Sequence, residues 1–174
     1  MPEKAFLLAA GLGTRLRPVT DDTPKCLVPV GGRPLLHWWL RQCERLGVRE
    51  VLINTHHLAP KVRDFVRSRT SSVKVTLYHE ENLLGSAGTL AANRHFVTGE
   101  PSFWIFYADT LVGGDLAGLA RLHQEREADL TLGLFRSPDP KSGGVVELGP
   151  DGKVLSFEEK PARPKSELVA AGAY

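Results

Sequence analysis

The chain has 174 residues, of which 42% are hydrophobic and 24% are charged, and its formal net charge is +2. A chain of this size can bury one substantial core, and its small net charge argues against a general affinity for nucleic acid. No apolar run approaches the ~20 residues that a membrane-spanning helix needs, so we expect a soluble, cytoplasmic protein with no membrane partner. Cys26 and Cys43 lack both metal-ligand spacing and a secretory context, which predicts two buried or half-buried thiols.

Short apolar runs typical of strands alternate with stretches of helical periodicity. The predicted strands are Ala5–Ala9, Val51–Thr55, Val73–Tyr78, Phe103–Tyr107, Leu130–Phe135, Val145–Leu148 and Val154–Phe157. Helices are predicted near residues 35–46, 60–69, 87–95 and 116–127. Pro150-Asp151-Gly152 indicates a turn that joins the last two strands as a hairpin. This order predicts an α/β fold, a three-layer, mostly parallel Rossmann-like sheet flanked by helices, in one domain over residues 1–174.

The loop after the first predicted strand combines glycine with positive charge. Gly11 and Gly13 free the backbone, so that peptide N–H groups can approach an anion closely. Arg15 and Arg17 add guanidinium groups that can grip two phosphate oxygens, and Lys25 adds a mobile point charge. This combination predicts a binding loop for a triphosphate.

Two better-known glycine motifs do not fit this loop. A dinucleotide fingerprint needs a third glycine where Leu16 stands, and a P-loop needs Gly-Lys-Ser/Thr where Gly13-Thr14-Arg15 stands. The missing third glycine disfavours a dinucleotide oxidoreductase, which nicotinamide-cofactor titration would test. A tight turn with solvated arginines is the plain structural alternative.

Two further segments are predicted to reach the same edge of the sheet. Glu80 and Glu81 end a strand, and Gly85 turns the chain into a helix whose N-terminus favours a ligand's negative charge. Asp109 follows the next apolar strand and is the candidate ligand for magnesium, which prefers hard oxygen atoms. Because ligands on parallel sheets bind beyond the carboxyl ends of strands, these segments and the glycine loop should converge on one crevice.

The chain resembles the sugar-1-phosphate nucleotidylyltransferases through nearly all of its length. Their signature, G-x-G-T-R-L-x-P-x-T followed by P-K, is matched at residues 11–20 and 24–25. The family elements L-G-T/S-A-G and F-x-E-K-P are matched at residues 84–88 and 157–161, and its first magnesium aspartate corresponds to Asp109. The sequence of residues 80–90 is most similar to the guanylyltransferase branch, which includes mannose- and heptose-1-phosphate enzymes. The resemblance implies transfer from a nucleoside triphosphate, GTP favoured, to a sugar 1-phosphate, with Mg²⁺ as cofactor.

The resemblance also implies a role for each matched residue. Arg15 would hold the pyrophosphate leaving group, Lys25 the charge near the α-phosphate and Asp109 the magnesium, while Lys160 would orient the attacking sugar phosphate. The implied nucleotide-binding residues are Leu8, Ala10, Gly11, Gly13, Thr14, Glu80, Glu81 and Gly85. The implied sugar-phosphate-binding residues are Gly144, Glu159 and Lys160. A carboxylate from Glu80 or Glu81 is chemically suited to accept the N1–H and N2–H donors of guanine.

Several positions depart from the family pattern. Tyr107 and Ala108 precede the aspartate where the family often has Asn or Gly, Gly143 replaces an aromatic residue, and Ala170 replaces an asparagine that often reaches the sugar. Because of these departures, the resemblance does not identify the sugar. The chain also stops before the family's second magnesium aspartate, so we expect a domain with its C-terminal elements missing, an open sugar half and low turnover.

Other functions remain open at this stage. A thymidylyl- or uridylyltransferase of the same family would carry the same motifs, and a catalytically silent subunit could bind a nucleotide-sugar and regulate a partner. Association into homo-oligomers is also open. His56-His57 and Trp38-Trp39 are expected to have structural roles, because adjacent side chains on an extended segment diverge and no basic stripe accompanies the tryptophans.

Overall fold

The computed structural model describes all 174 residues, and they group into two compact units, residues 1–113 and 114–174. None of its helices is long and apolar enough to cross a membrane. The single domain over residues 1–174 stays a prediction.

The first unit is built on a parallel sheet of four strands. The first unit contains six strands in chain order, β1 (Lys4–Leu8), β2 (Pro29–Val30), β3 (Arg33–Pro34), β4 (Glu50–Thr55), β5 (Lys74–His79) and β6 (Trp104–Tyr107). β2 and β3 form a separate antiparallel ribbon, whereas the other four pair in parallel in the order β5–β4–β1–β6. The predicted mostly parallel sheet is confirmed. Its register aligns Leu8 with Asn54 on one side and with Tyr107 on the other, at the carboxyl edge.

Amphipathic helices flank this sheet. The helices of the first unit are α1 (Val19–Asp22), α2 (Leu35–Arg45), α3 (Ala59–Ser68) and α4 (Gly85–Ala92). The buried residues of α2 recur along one helical face at Leu35, Leu36, Trp39, Leu40 and Cys43. The centre of β1 is buried on both faces, which is why it reads as a continuous apolar run. Both cysteines are buried, as predicted, and burial raises the pKa of each thiol to about 12.

The second unit is an antiparallel sheet with one helix. Its elements are α5 (Leu116–Glu125), β7 (Leu134–Arg136), β8 (Gly144–Leu148), β9 (Val154–Glu159) and β10 (Leu168–Ala170). The strands lie in the order β7–β10–β8–β9. β8 and β9 pair antiparallel on either side of Pro150-Asp151-Gly152, which confirms the predicted hairpin. Two strands joined by so short a turn can only be antiparallel.

The sequence prediction for this unit is wrong about the start of one strand and lacks another strand. The strand predicted from residue 130 to residue 135 begins only at Leu134, because Leu130 is 57% exposed and Gly133 exchanges backbone hydrogen bonds with Ala171 and Ala173 instead. The strand β10 was not predicted, since three residues are too few to show alternation.

Candidate active site

The carboxyl ends of the parallel strands surround a cavity of about 270 Å³ in the first unit. Residues from the glycine loop, the loop after β5 and the end of β6 share this lining. They are Leu8, Ala9, Ala10, Gly11, Lys25, Cys26, Asn54, Glu80, Leu83, Gly85, Ser86, Tyr107 and Asp109. Because parallel strands end at the same edge, segments a hundred positions apart in the sequence meet here.

Seven of the predicted site residues line this cavity and the others do not. Those that line it are Leu8, Ala10, Gly11, Lys25, Glu80, Gly85 and Asp109. Outside the lining, but in the same unit, are Gly13, Thr14, Arg15 and Glu81. Gly144, Glu159 and Lys160 belong to the second unit.

The signature loop is shaped by Gly13 and Thr20. Gly13 adopts the left-handed conformation with φ of 67°, and the buried Thr20 hydroxyl donates to its carbonyl at 2.7 Å. A Cβ at Gly13 would lie 2.9 Å from Thr20 Cγ2, so the two positions constrain each other. The carbonyl of Thr20 is 3.3 Å from His57 Nε2, which gives that histidine a structural contact. Arg15 lies exposed on the 3₁₀ turn Thr14–Leu16 that this loop presents.

Lys25 and Asp109 form an ion pair inside the cavity. Lys25 Nζ lies 2.6 Å from Asp109 Oδ2, and the two side chains are 23% and 39% exposed. These residues are 84 positions apart. The two groups with the most direct predicted roles toward phosphate and magnesium are therefore neighbours, and each can exchange its partner for a ligand.

A buried tryptophan fixes the loop that carries Asp109. The Nε1–H of Trp39 donates to the carbonyl of Thr110 at 2.7 Å, and its indole stacks on Phe106 of β6 at 4.6 Å between ring centroids. On the other side, Ala108 N–H continues the strand ladder by donating to Leu8 at 3.0 Å. Sequence reasoning assigned Trp39 to core packing or a subunit contact and missed this hydrogen bond.

The contribution of this hydrogen bond can be measured with matched tryptophans. We expect Trp39→Phe to lower the free energy of unfolding by about 1–3 kcal/mol, because it removes a part-buried hydrogen bond made by a side chain that is only 1% exposed. Trp38→Phe is the control: Trp38 Nε1–H also donates to a carbonyl, that of Val30, but the residue is 37% exposed and water can replace it. Urea unfolding followed by circular dichroism gives both values. Equal losses in the two variants would contradict a special role for Trp39.

Glu80 is almost fully buried and every oxygen of its carboxylate is engaged. Its Oε1 accepts from Thr89 Oγ1 at 2.5 Å and from Asn54 Nδ2 at 2.9 Å, and its Oε2 accepts from the Leu84 N–H at 3.1 Å. Burial alone would raise the pKa of Glu80, but the hydrogen bonds from Thr89, Asn54 and Leu84 outweigh it and hold the pKa below its usual value. Glu80 is therefore a charged, fully occupied anchor, whereas Glu81 is exposed.

The charges in the cavity do not favour an anion by themselves. Lys25 is opposed by Asp109 and Glu80, so the ionisable groups of the lining carry a formal charge of −1. The hydroxyls of Ser86 and Tyr107, 3.0 Å apart, add polarity without charge. A triphosphate would need added positive charge here, and Asp109 offers the hard oxygen that magnesium uses alongside substrate phosphates. No group of three or more His, Cys, Asp or Glu side chains forms a metal cage of its own.

The second unit brings its three predicted residues together. Gly144 at the start of β8 pairs in register with Glu159 at the end of β9, and a Cβ on Gly144 would meet Glu159 Oε2 at 3.2 Å. Lys160 follows with a φ of 48°, its N–H donating to the carbonyl of Gly143 at 2.9 Å. Its ammonium lies 3.4 Å from Glu159 Oε1, and both side chains are exposed. The lysine and glutamate therefore present a charged pair on a strained turn.

Comparisons with known proteins agree with the motifs. Residues 4–174 match the sequence model of the family described as nucleotidyl transferase. The chain is 37% identical to glucose-1-phosphate thymidylyltransferase of Streptomyces griseus and 33% identical to mannose-1-phosphate guanylyltransferase of Mycobacterium tuberculosis, each over 98% of this chain. It spans about half the length of these curated relatives, 48% and 47%. A solved structure of UDP-glucose pyrophosphorylase complexed with UDP-glucose shares the fold, with a TM-score of 0.85 and 21% identity over 99% of this chain and 75% of that one.

Proposed function

The chain belongs to the nucleotidyl transferase family, as its match over residues 4–174 shows, and from this membership we propose that it acts in nucleotidyl transfer from a nucleoside triphosphate to a sugar 1-phosphate. The products would be a nucleotide-sugar and pyrophosphate. The observation that carries the proposal is the cavity in which the glycine loop, Lys25, the loop after Glu80 and Asp109 meet. Each of these segments supplies a residue type suited to phosphate, nucleoside or metal.

The proposed mechanism relies on positioning and charge neutralisation. The oxygen of the sugar phosphate attacks the α-phosphorus in line with the departing pyrophosphate, so no covalent enzyme intermediate is needed. Lys25 stabilises the charge that develops near the α-phosphate, Arg15 holds the pyrophosphate, and Lys160 orients the attacking phosphate. Asp109 would hold Mg²⁺, which supplies positive charge to the phosphate oxygens when bound.

The base is proposed to be guanine, with thymine or uracil as the alternatives. The sequence of residues 80–90 favours the guanylyltransferase branch. The relatives named above include a thymidylyltransferase at 37% identity and a guanylyltransferase at 33%. The exposed carboxylate of Glu81 is free to accept two donors from a guanine edge. We therefore place base recognition at Glu81 ahead of Glu80, whose oxygens are already engaged.

A two-dimensional substrate screen tests the function. Four nucleoside triphosphates would be combined with mannose, heptose, glucose and N-acetylglucosamine 1-phosphates, and pyrophosphate release would be measured with and without Mg²⁺. Titration of each triphosphate would be followed in parallel by calorimetry. Magnesium-dependent release with one pair of substrates supports the enzyme, whereas nucleotide-sugar binding without release supports a silent regulatory subunit. Binding of neither triphosphate nor nucleotide-sugar overturns both.

Arg15 provides a test of the leaving-group assignment. Arginine can hold two phosphate oxygens with its planar fork, and lysine cannot reproduce this geometry. If one charged hydrogen bond of ~1.5–3 kcal/mol is lost in the transition state, Arg15→Lys should slow turnover by roughly ten- to a hundredfold. Arg41→Lys is the control, because Arg41 is an exposed arginine that pairs with Glu44 at 3.1 Å on α2, outside the cavity lining. Unchanged turnover in Arg15→Lys would remove Arg15 from the mechanism.

A further inference from the structure

Asn54 is the second-to-last residue of β4, and its buried amide bridges two loops of the cavity. It is 5% exposed and lines the cavity. Its Oδ1 accepts from the N–H of Ala9, the first residue after β1, at 2.6 Å. Its Nδ2 donates to Glu80 Oε1 at 2.9 Å and to Thr89 Oγ1 at 3.2 Å.

The same hydrogen-bond chain continues into the second loop. Thr89 Oγ1 donates to Glu80 Oε1, and Glu80 Oε2 accepts from the N–H of Leu84, which precedes the left-handed Gly85 at φ of 70°. A continuous buried path therefore runs from the backbone of Ala9 through Asn54 and Glu80 to the backbone of Leu84. This path connects the beginning of the glycine loop to the loop that follows β5.

We propose that Asn54 is a positioning residue that, together with Glu80, sets the separation of the two loops that hold the nucleotide. This inference rests on the proposed nucleotide site and deepens it. The amide is the required group, because one end must accept from a backbone N–H while the other donates to a carboxylate. Glu80 is then a structural anchor for the loop, and the base is read by groups other than its carboxylate.

The test exchanges the two side-chain types. Asn54→Asp keeps the acceptor for Ala9 but places a second carboxylate against Glu80, and Glu80→Gln leaves too few acceptors for Asn54, Thr89 and Leu84 together. In the double variant the new amide of Glu80→Gln can donate to the new carboxylate and to Thr89 while its oxygen still accepts from Leu84. The polarity of the bridge is reversed and every group is satisfied again.

We expect each single substitution to raise the dissociation constant for the triphosphate roughly tenfold, the effect of losing one buried hydrogen bond. The double variant should recover to within about threefold of the wild type, a coupling that independent sites do not show. Asn93→Asp is the structural control. Asn93 is also buried and donates to the carbonyl of Thr89 at 2.9 Å, but it does not line the cavity, so its variant should lose stability and keep its affinity.

A second readout needs no ligand. The amide resonances of Ala9 and Leu84 should both shift in Glu80→Gln, although Glu80 contacts only the second of them, and both should return in the double variant. Affinity that falls equally in Asn93→Asp and Asn54→Asp, or additive losses in the double variant, overturns the proposal. If Asn54→Asp does not fold, Thr89→Val removes one donor to Glu80, and unchanged affinity there overturns it as well. A wild-type chain that binds no triphosphate overturns the proposed function instead, and the amide shifts still decide whether Asn54 couples the loops.

Discussion

Asp109→Asn is expected to remove the magnesium dependence of triphosphate binding and to lower turnover by about 10²–10³-fold, the size of effect seen when one group that stabilises transition-state charge is lost. The reason is that Asp109 is the proposed magnesium ligand and lies in the cavity lining beside Lys25. In buffer without magnesium we expect the substitution to have the opposite effect on triphosphate affinity. The variant should bind triphosphate as well as the wild type or better, because Lys25 is released from its 2.6 Å pair and one repelling charge is gone.

Calorimetric titrations with and without Mg²⁺ measure both effects. Asp64→Asn is the matched control, since Asp64 is an exposed acid on α3 outside the cavity lining, and it should behave as the wild type does. A magnesium response in Asp109→Asn as large as in the wild type would exclude Asp109 as the metal ligand.

The strands of the parallel sheet could be predicted from the sequence because each is specified by the hydrophobic pattern of its own residues. The central strands β1 and β4 are buried through their middle residues and show continuous apolar runs, whereas the edge strand β5 shows alternation instead. Each of the four strands begins and ends within one residue of its predicted limits. Elements of two or three residues, namely β2, β3 and β10, could not be predicted, because pairing with distant backbone creates them and no periodicity precedes it. The same reason explains why β7 begins four residues after its predicted start: the first paired residue depends on contacts with residues 168–173.

The candidate site divides in the same way. Lys25 and Asp109 could be predicted because each stands in a motif with a recognisable chemistry, and the structure brings them to 2.6 Å. Asn54 and Trp39 carry no such motif. Their importance comes from hydrogen bonds to backbone groups 45 and 71 positions away, and a local pattern contains no information on those partners. The best available signal was the polar Asn54 directly after the apolar run Val51–Ile53 of β4.

Lys25→Ala is expected to weaken triphosphate binding by about a hundredfold or more. A charged hydrogen bond to phosphate contributes ~1.5–3 kcal/mol, and the variant also leaves the carboxylate of Asp109 unpaired where the ligand's negative charge must enter. The lining would then carry two carboxylates and no basic side chain. Lys74→Ala is the control, because Lys74 pairs with Glu50 at 3.0 Å at the opposite, amino-terminal edge of the sheet. Its affinity for triphosphate should not change.

The double variant Lys25→Ala with Asp109→Asn separates attraction from repulsion. If Lys25 acts only by attracting phosphate, the loss it causes without magnesium is the same whether or not Asp109 is present. If it also neutralises Asp109, removing that carboxylate should recover part of the loss, by roughly tenfold, and the two substitutions are not additive. We expect the second result, because atoms 2.6 Å apart in one cavity share the field that the ligand meets. Strictly additive affinities, measured in magnesium-free buffer, would show that the triphosphate does not enter between these two side chains.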